Sequence, residues 1–145
     1  MYYEDFRLGD VFPIEQVVIE KEKMMAFAKE YDPLPNHTDE AYAKATHFGD
    51  LIAPGVMTFM TIWTKFLEQD VFGTELIAGK STKIEWTRPV YAKDVLTSSA
   101  QVTALGKRSA RNGVVEITVT AYNQHGMLVL KDVTEVVVKR RPDSQ

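Results

Sequence analysis

Between residues 20 and 31 the apolar side chains Met24, Phe27, Ala28 and Tyr31 recur at i, i+3, i+4 and i+7. That spacing predicts one face of an amphipathic helix, closed by Asp32-Pro33. A different period rules the second half. Val115, Ile117, Val119 and Ala121 alternate with Glu116, Thr118 and Thr120, which predicts a strand with one core face and one wetter face. Strand character also marks residues 81–87, 95–104 and 127–138, with the alternating strand extending over 114–122. Turn signals separate them at Arg88-Pro89, Gly106, Asn112-Gly113 and His125-Gly126. The short connections predict antiparallel neighbours. Residues 11–19, rich in Val and Ile and introduced by Gly9-Asp10, predict a short strand that opens the sheet.

Residues 56–67 follow neither amphipathic pattern. Val56, Met57, Phe59, Met60, Ile62, Trp63, Phe66 and Leu67 point nearly all round a helical axis, so this helix has to be enclosed on several sides, and a curved sheet wrapped around it is one way to do so. The stretch is too short to cross a bilayer, which takes roughly 20 apolar residues. An α+β fold with an antiparallel sheet around a central helix is the expectation.

Composition narrows the function classes. With 145 residues, 45% hydrophobic and 26% charged, the chain suits one domain spanning 1–145, with 141–145 as a frayed tail. A net charge of -3 argues against a nucleic-acid binder that neutralises phosphates. There is no cysteine, and the three histidines are scattered, so neither a disulfide framework nor a metal site is expected. The start, Met1-Tyr2-Tyr3-Glu4-Asp5-Phe6, is acidic and aromatic where a secretory signal would be basic and then apolar. A cytoplasmic protein without membrane partners is the expectation.

The chemistry concentrates in Tyr31-Asp32-Pro33-Leu34-Pro35-Asn36-His37-Thr38-Asp39-Glu40, where a carboxylate and an imidazole stand five residues apart. Pro33 and Pro35 disfavour helical angles at Asp32 and Leu34, which predicts a rigid, irregular link. Asp32 would face the negative end of the preceding helix dipole, an unfavourable place for a carboxylate. Asp-Pro on its own ordinarily just closes a helix; His37 nearby turns the link into a candidate acid/base site. Thr38 is placed to cap a second helix running to about Thr46, with Asp39 and Glu40 in its first turn. His47, beyond it, is expected to meet that helix's last carbonyls.

The ordered set Asp32, Pro35, His37, Asp39-Glu40-Ala41-Tyr42-Ala43, Phe48-Gly49, Ile52-Ala53 and Gly55 resembles the MaoC-like dehydratases and R-specific enoyl-CoA hydratases, which have a hot dog fold. Trp86-Thr87-Arg88-Pro89-Val90 with Asp94, and Asn123-Gln124-His125-Gly126, look like the family's strand-turn signature and final hairpin. Two positions depart from the family pattern: Leu34 stands where it commonly has Asn, and Pro54 where it usually has His.

The resemblance implies reversible syn hydration of a trans-2-enoyl-CoA to an (R)-3-hydroxyacyl-CoA, with no cofactor beyond the coenzyme A thioester substrate. It makes Asp32 the base, has His37 orient water and pass the proton, and gives the thioester oxygen to the Gly55 N-H. Gly55 opens the buried helix, where unpaired amides and the positive dipole end suit developing negative charge. Asn36, Phe48, Ile52, Ala53, Met57 and Trp63 are candidate substrate-binding residues. Lys107, Arg108 and Arg111 are candidates for the coenzyme A phosphates, with Lys139, Arg140 and Arg141 a second basic cluster. A hot dog thioesterase and a non-catalytic acyl-thioester binding module are the alternatives. Hot dog domains usually pair side by side, so a homodimer is expected.

Overall fold

The helical repeat in the first third becomes α1 (Lys21–Tyr31) in the computed structural model, which describes residues 1–142. Met24 and Ala28 on its inner face are fully buried, whereas Tyr31 at its end stays exposed and packs against the Phe27 ring. Asp32 closes the helix at φ -152° and ψ 67°, outside helical angles, as its place before a proline requires. The link that follows is more ordered than its prolines suggest. Pro35 opens a single turn, α2 (Pro35–Thr38), in which its missing N-H costs nothing because the first helical position has no intrahelical acceptor. His37 therefore sits on a helical turn and not on irregular backbone.

A second correction concerns the next cap. Thr38 Oγ1 donates to the Leu34 carbonyl at 3.1 Å, so Asp39 caps α3 (Glu40–Lys44) in its place, accepting the Tyr42 N-H at 3.1 Å. The Thr46 hydroxyl donates to the Ala43 carbonyl at 2.6 Å, which ends α3 early. His47 lies exposed beyond it, its ring 4.1 Å from that of Phe48, so it does not serve the helix end.

The apolar run forms α4 (Gly55–Leu67). Five antiparallel strands curve around it: β1 (Val11–Val18), β2 (Leu76–Trp86), β3 (Val95–Lys107), β4 (Asn112–Tyr122) and β5 (Leu128–Lys139), in the order β1-β3-β4-β5-β2. This is the hot dog arrangement. The alternation in β4 is realised completely, with Val115, Ile117, Val119 and Ala121 fully buried beneath α4. Ile62 and Phe66 of α4 are buried too, and Phe66 packs against Phe12, Trp63 and Phe72. Each such side chain contributes about 1.5–3 kcal/mol by leaving water.

Two features depart from the sequence reading. β2 starts at Leu76, five residues before the expected 81, through a stretch with Gly79 and two register shifts. β2 and β3 are also not neighbours, although only residues 87–94 join them. That segment crosses the ends of β5 and β4, three strand spacings or about 14 Å, which eight residues reach easily. The crossing is anchored throughout. Thr87 N-H donates to Val129, Asp94 accepts the Tyr91 N-H and the Gln124 side chain, each at 2.9 Å, and Ile19 N-H donates to the Asp94 carbonyl.

The sheet covers α4 on one side only. Val56, Met60 and Leu67 remain exposed, and they continue into Leu76 and Ile77 on the edge strand β2. The expectation that this helix is enclosed on most sides is thus not met within one chain. Beneath β2 the fully buried Asp132 accepts hydrogen bonds from Thr82 and, at 2.5 Å, from Thr134, whose hydroxyls lie 2.7 Å apart. Burial pushes its carboxyl above the ordinary carboxylate range, partly offset by the Thr134 and Thr82 hydroxyls. At the C-terminal end Arg141 is held. Its backbone N-H donates to Glu4 at 2.6 Å, its guanidinium pairs with Asp5, and it stacks over the Tyr2 ring. Residues 143–145 of the expected frayed tail lie outside the described residues.

Candidate active site

Asp32 and His37 meet because α2 turns the chain back over the end of α1. The Leu34 N-H donates to the Asp32 carbonyl at 2.8 Å, and the His37 N-H to the Leu34 carbonyl at 2.9 Å. His37 Nε2 then lies 3.2 Å from Asp32 Oδ2. The His37 side chain is only 9% exposed, while the Asp32 side chain keeps about a third of its surface open. On its other side, His37 Nδ1 lies 2.6 Å from the Ile52 carbonyl. That oxygen can only accept, so Nδ1 carries a proton and Nε2 is the nitrogen available for chemistry.

The backbone around Ile52 ties three segments into one wall. Ile52 N-H donates to the Asn36 carbonyl at 3.1 Å, Ala53 N-H to Val90 at 2.7 Å, and the Tyr91 hydroxyl to the Phe48 carbonyl at 2.8 Å. Burial, followed by the nearby Asp94 and Asp50 carboxylates, raises the pKa of Tyr91 and keeps its phenol a donor. The link, the loop before α4 and the crossing segment are therefore positioned together.

These segments enclose a cleft of about 440 Å³ with Asp32 and His37 on one side and the start of α4 on another. Gly55 is the first residue of α4, and Pro54 before it provides no side-chain cap, so the first amides of the helix have no intrahelical acceptor. A Cβ at Gly55 would fall 2.3 Å from Cε2 of Trp86. Glycine is required here by that close approach, since its backbone is ordinary helix.

Of the residues singled out from sequence, Asp32, His37, Phe48, Ile52, Ala53 and Gly55 border the cleft. Asn36, Met57 and Trp63 do not. Asn36 contributes its carbonyl to Ile52, while its Oδ1 is buried without a hydrogen-bond partner among the described residues. Met57 belongs to the core, and Trp63 stacks on Phe59 and faces a second groove across α4. Lys107 ends β3 and Arg108 and Arg111 lie in the β3–β4 turn after it, at the far end of a 13-residue strand from the crossing segment. Sequence reasoning missed Val56 and Thr58 on α4, and the whole wall from Trp86 to Val90. The Trp-Thr-Arg-Pro-Val run was visible as a signature, but its place in the cleft depends on β2 lying at the sheet edge. Among the described residues no group of acidic and histidine side chains is arranged to hold a metal ion, and no helix is long and apolar enough to cross a membrane.

Comparison with known proteins agrees with this arrangement. Residues 7–132 match the family described as FAS1-like, dehydratase domain region. The chain is 31% identical to protein YdeM of Bacillus subtilis over 143 residues, 97% of this chain and 100% of that protein. The MaoC-like dehydratase from Rhodospirillum rubrum superposes with a TM-score of 0.88 at 30% identity, covering 98% of this chain and 99% of that one. The (R)-hydratase from A. caviae involved in PHA biosynthesis gives a TM-score of 0.74 at 25% identity, covering 95% and 99%. With the dehydratase family model spanning most of its length and the same fold in a MaoC-like dehydratase, the chain belongs to the MaoC-like dehydratase family of hot dog proteins.

Proposed function

We propose that the protein adds water reversibly to a trans-2-enoyl thioester, giving an (R)-3-hydroxyacyl thioester, with coenzyme A as the expected carrier. The observation that carries this reading is the Asp32–His37 pair, with its free nitrogen and carboxylate facing one cleft that also holds the start of α4. Because Nδ1 is committed to Ile52, a neutral His37 offers a lone pair from Nε2 towards another acceptor, Asp32 Oδ2. A water molecule lying across the two can give one hydrogen to each, which holds its oxygen towards the substrate.

The step balances within the site. The water oxygen bonds to the β carbon as its proton passes to Asp32, and the α carbon takes a proton from the dyad through His37. The carbon-carbon double bond becomes single, with H and OH added on one face. Negative charge that develops on the thioester oxygen is met by the Gly55 N-H and the positive end of α4. Phe48, Ile52, Ala53, Val56 and Val90 supply an apolar wall for the acyl group. Met57 and Trp63 lie outside this wall, and Asn36 acts on it only through the Ile52 backbone.

The functional unit is a homodimer. β2 is an edge strand exposed along almost all its length, and its Leu76 and Ile77 continue the exposed Met60 and Leu67 of α4 into an apolar face that a second copy would cover. The catalytic assignment is tested with Asp32→Asn and His37→Ala, followed by loss of enoyl conjugation on crotonyl-CoA and longer homologues. Each change lowers the rate about 10²-fold or more. Variants that remain within about threefold of wild type would remove these residues from the chemistry, since a lost acid/base group costs far more.

A further inference from the structure

The cleft does not stop at the crossing segment. Arg88 and Pro89 border it on one side and, on the other, border a shallow groove of about 210 Å³ that runs to the β4–β5 hairpin and His125. The geometry points to this groove as the seat of a phosphate on the carrier end of the thioester, held by Arg88 with His125 opposite. The inference rests on the hydratase reading and deepens it, because it names how the carrier is recognised.

Charge accounting supports Arg88. The chain carries a net charge of -3, so no general positive field draws a polyanion to the cleft, and a phosphate needs a local cation. Arg88 is exposed and makes no hydrogen bond or ion pair with another described residue. In the basic cluster at the end of β5, Arg140 is held by Glu4 at 2.9 Å and Arg141 by Asp5, while Lys139 pairs with Asn112 at the same far end of the sheet as the β3–β4 turn. Lys107, Arg108 and Arg111 lie at the other end of β3, roughly 40 Å along the strand, which an extended pantetheine arm does not span within one chain.

The groove also has the right character for an anion. Its one carboxylate, Asp94, is largely buried, with Oδ2 accepting the Tyr91 N-H and Oδ1 the Gln124 side chain. Its charge is thus turned inward. The hairpin beneath is firm, since Asn123 Oδ1 accepts both the His125 N-H at 2.9 Å and the Met127 N-H at 3.1 Å. That leaves the exposed imidazole of His125 without a side-chain partner among the described residues, on the same groove as the guanidinium. A guanidinium binds phosphate through two parallel N-H bonds, a geometry that lysine cannot copy.

The test compares three thioesters of one enoyl group, on coenzyme A, on phosphopantetheine and on pantetheine without phosphate, in wild type, Arg88→Ala and Arg88→Lys. In Arg88→Ala the ratio of KM for the coenzyme A thioester to KM for the pantetheine thioester rises about fivefold to thirtyfold, with Arg88→Lys between. A matching rise for phosphopantetheine assigns the phosphate next to the arm, which coenzyme A and acyl-carrier protein share. A rise confined to coenzyme A assigns the nucleotide phosphates. An unchanged ratio overturns the proposal, as does a penalty that appears with Arg108→Ala in place of Arg88→Ala. If wild type turns over none of the thioesters, the hydratase reading fails. Binding of coenzyme A against pantetheine, followed by Trp86 fluorescence, then decides the anchor separately by the same ratio.

Discussion

Replacing Gly55 with alanine probes the contact on which the cleft is built. The new Cβ would lie 2.3, 2.4 and 2.7 Å from Cε2, Nε1 and Cζ2 of Trp86. Carbon atoms settle at about 3.5 Å or more, so the indole has to retreat by roughly 1.2 Å. Overpacking of this kind costs about 1–3 kcal/mol. Trp86 is 51% exposed, so it can swing outward, and a loss near 1 kcal/mol is expected, or about 2–4 °C in Tm for a chain of this size. Activity suffers more. Displacing the wall that faces the first amide of α4 by about 1 Å costs on the order of 10² in rate. The assay is a double-mutant cycle with Trp86→Ala, reading Tm and enoyl-CoA hydration in parallel. With the indole gone, Gly55→Ala becomes neutral or stabilising, since alanine at compatible backbone angles gains about 0.4–1 kcal/mol by restricting the unfolded chain. A coupling of about 1 kcal/mol or more between the two sites is therefore expected. Equal losses from Gly55→Ala in both backgrounds would refute the claim that close approach is why glycine is there.

Asp132 gives a pH prediction. Burial raises its folded-state pKa above the ordinary 3.8, so as pH climbs through that value the unfolded chain releases a proton that the native state keeps, and stability falls with rising pH. Asp132→Asn cannot ionise, so its Tm should gain on wild type between about pH 4.5 and pH 7.5; a gap that is constant or moves the other way removes the argument. Met60→Lys combined with Ile77→Lys should turn the proposed dimer into monomers at micromolar concentration in sedimentation, and an unchanged mass would place the subunit contact elsewhere.

What the sequence disclosed, and what it concealed, follows from the range of the interactions involved. Asp32 and His37 were readable because five residues separate them and prolines constrain both, and the buried face of β4 was readable because its alternation is strictly local. The turn at Pro35 was harder, since proline reads as a breaker while the first position of a helix suits it. The wall from Trp86 to Val90 could not be placed from short connections, because β2 leaves its sequence neighbour β3 and pairs with β5. Asp132 meets Thr82 across 50 residues of chain, which no spacing announces. The outer face of α4 was read as core because its composition is apolar all round, whereas one copy of the chain covers only half of it.

The proposed chemistry of the Asp32–His37 cleft adds water to the double bond and leaves the thioester intact. Its most direct measurement follows, in one reaction of wild-type protein with crotonyl-CoA, the loss of enoyl conjugation and the appearance of free thiol. Conjugation should disappear with an (R)-3-hydroxybutyryl thioester as product and no thiol released. Thiol released as fast as conjugation is lost, or tight binding with neither change, would contradict it.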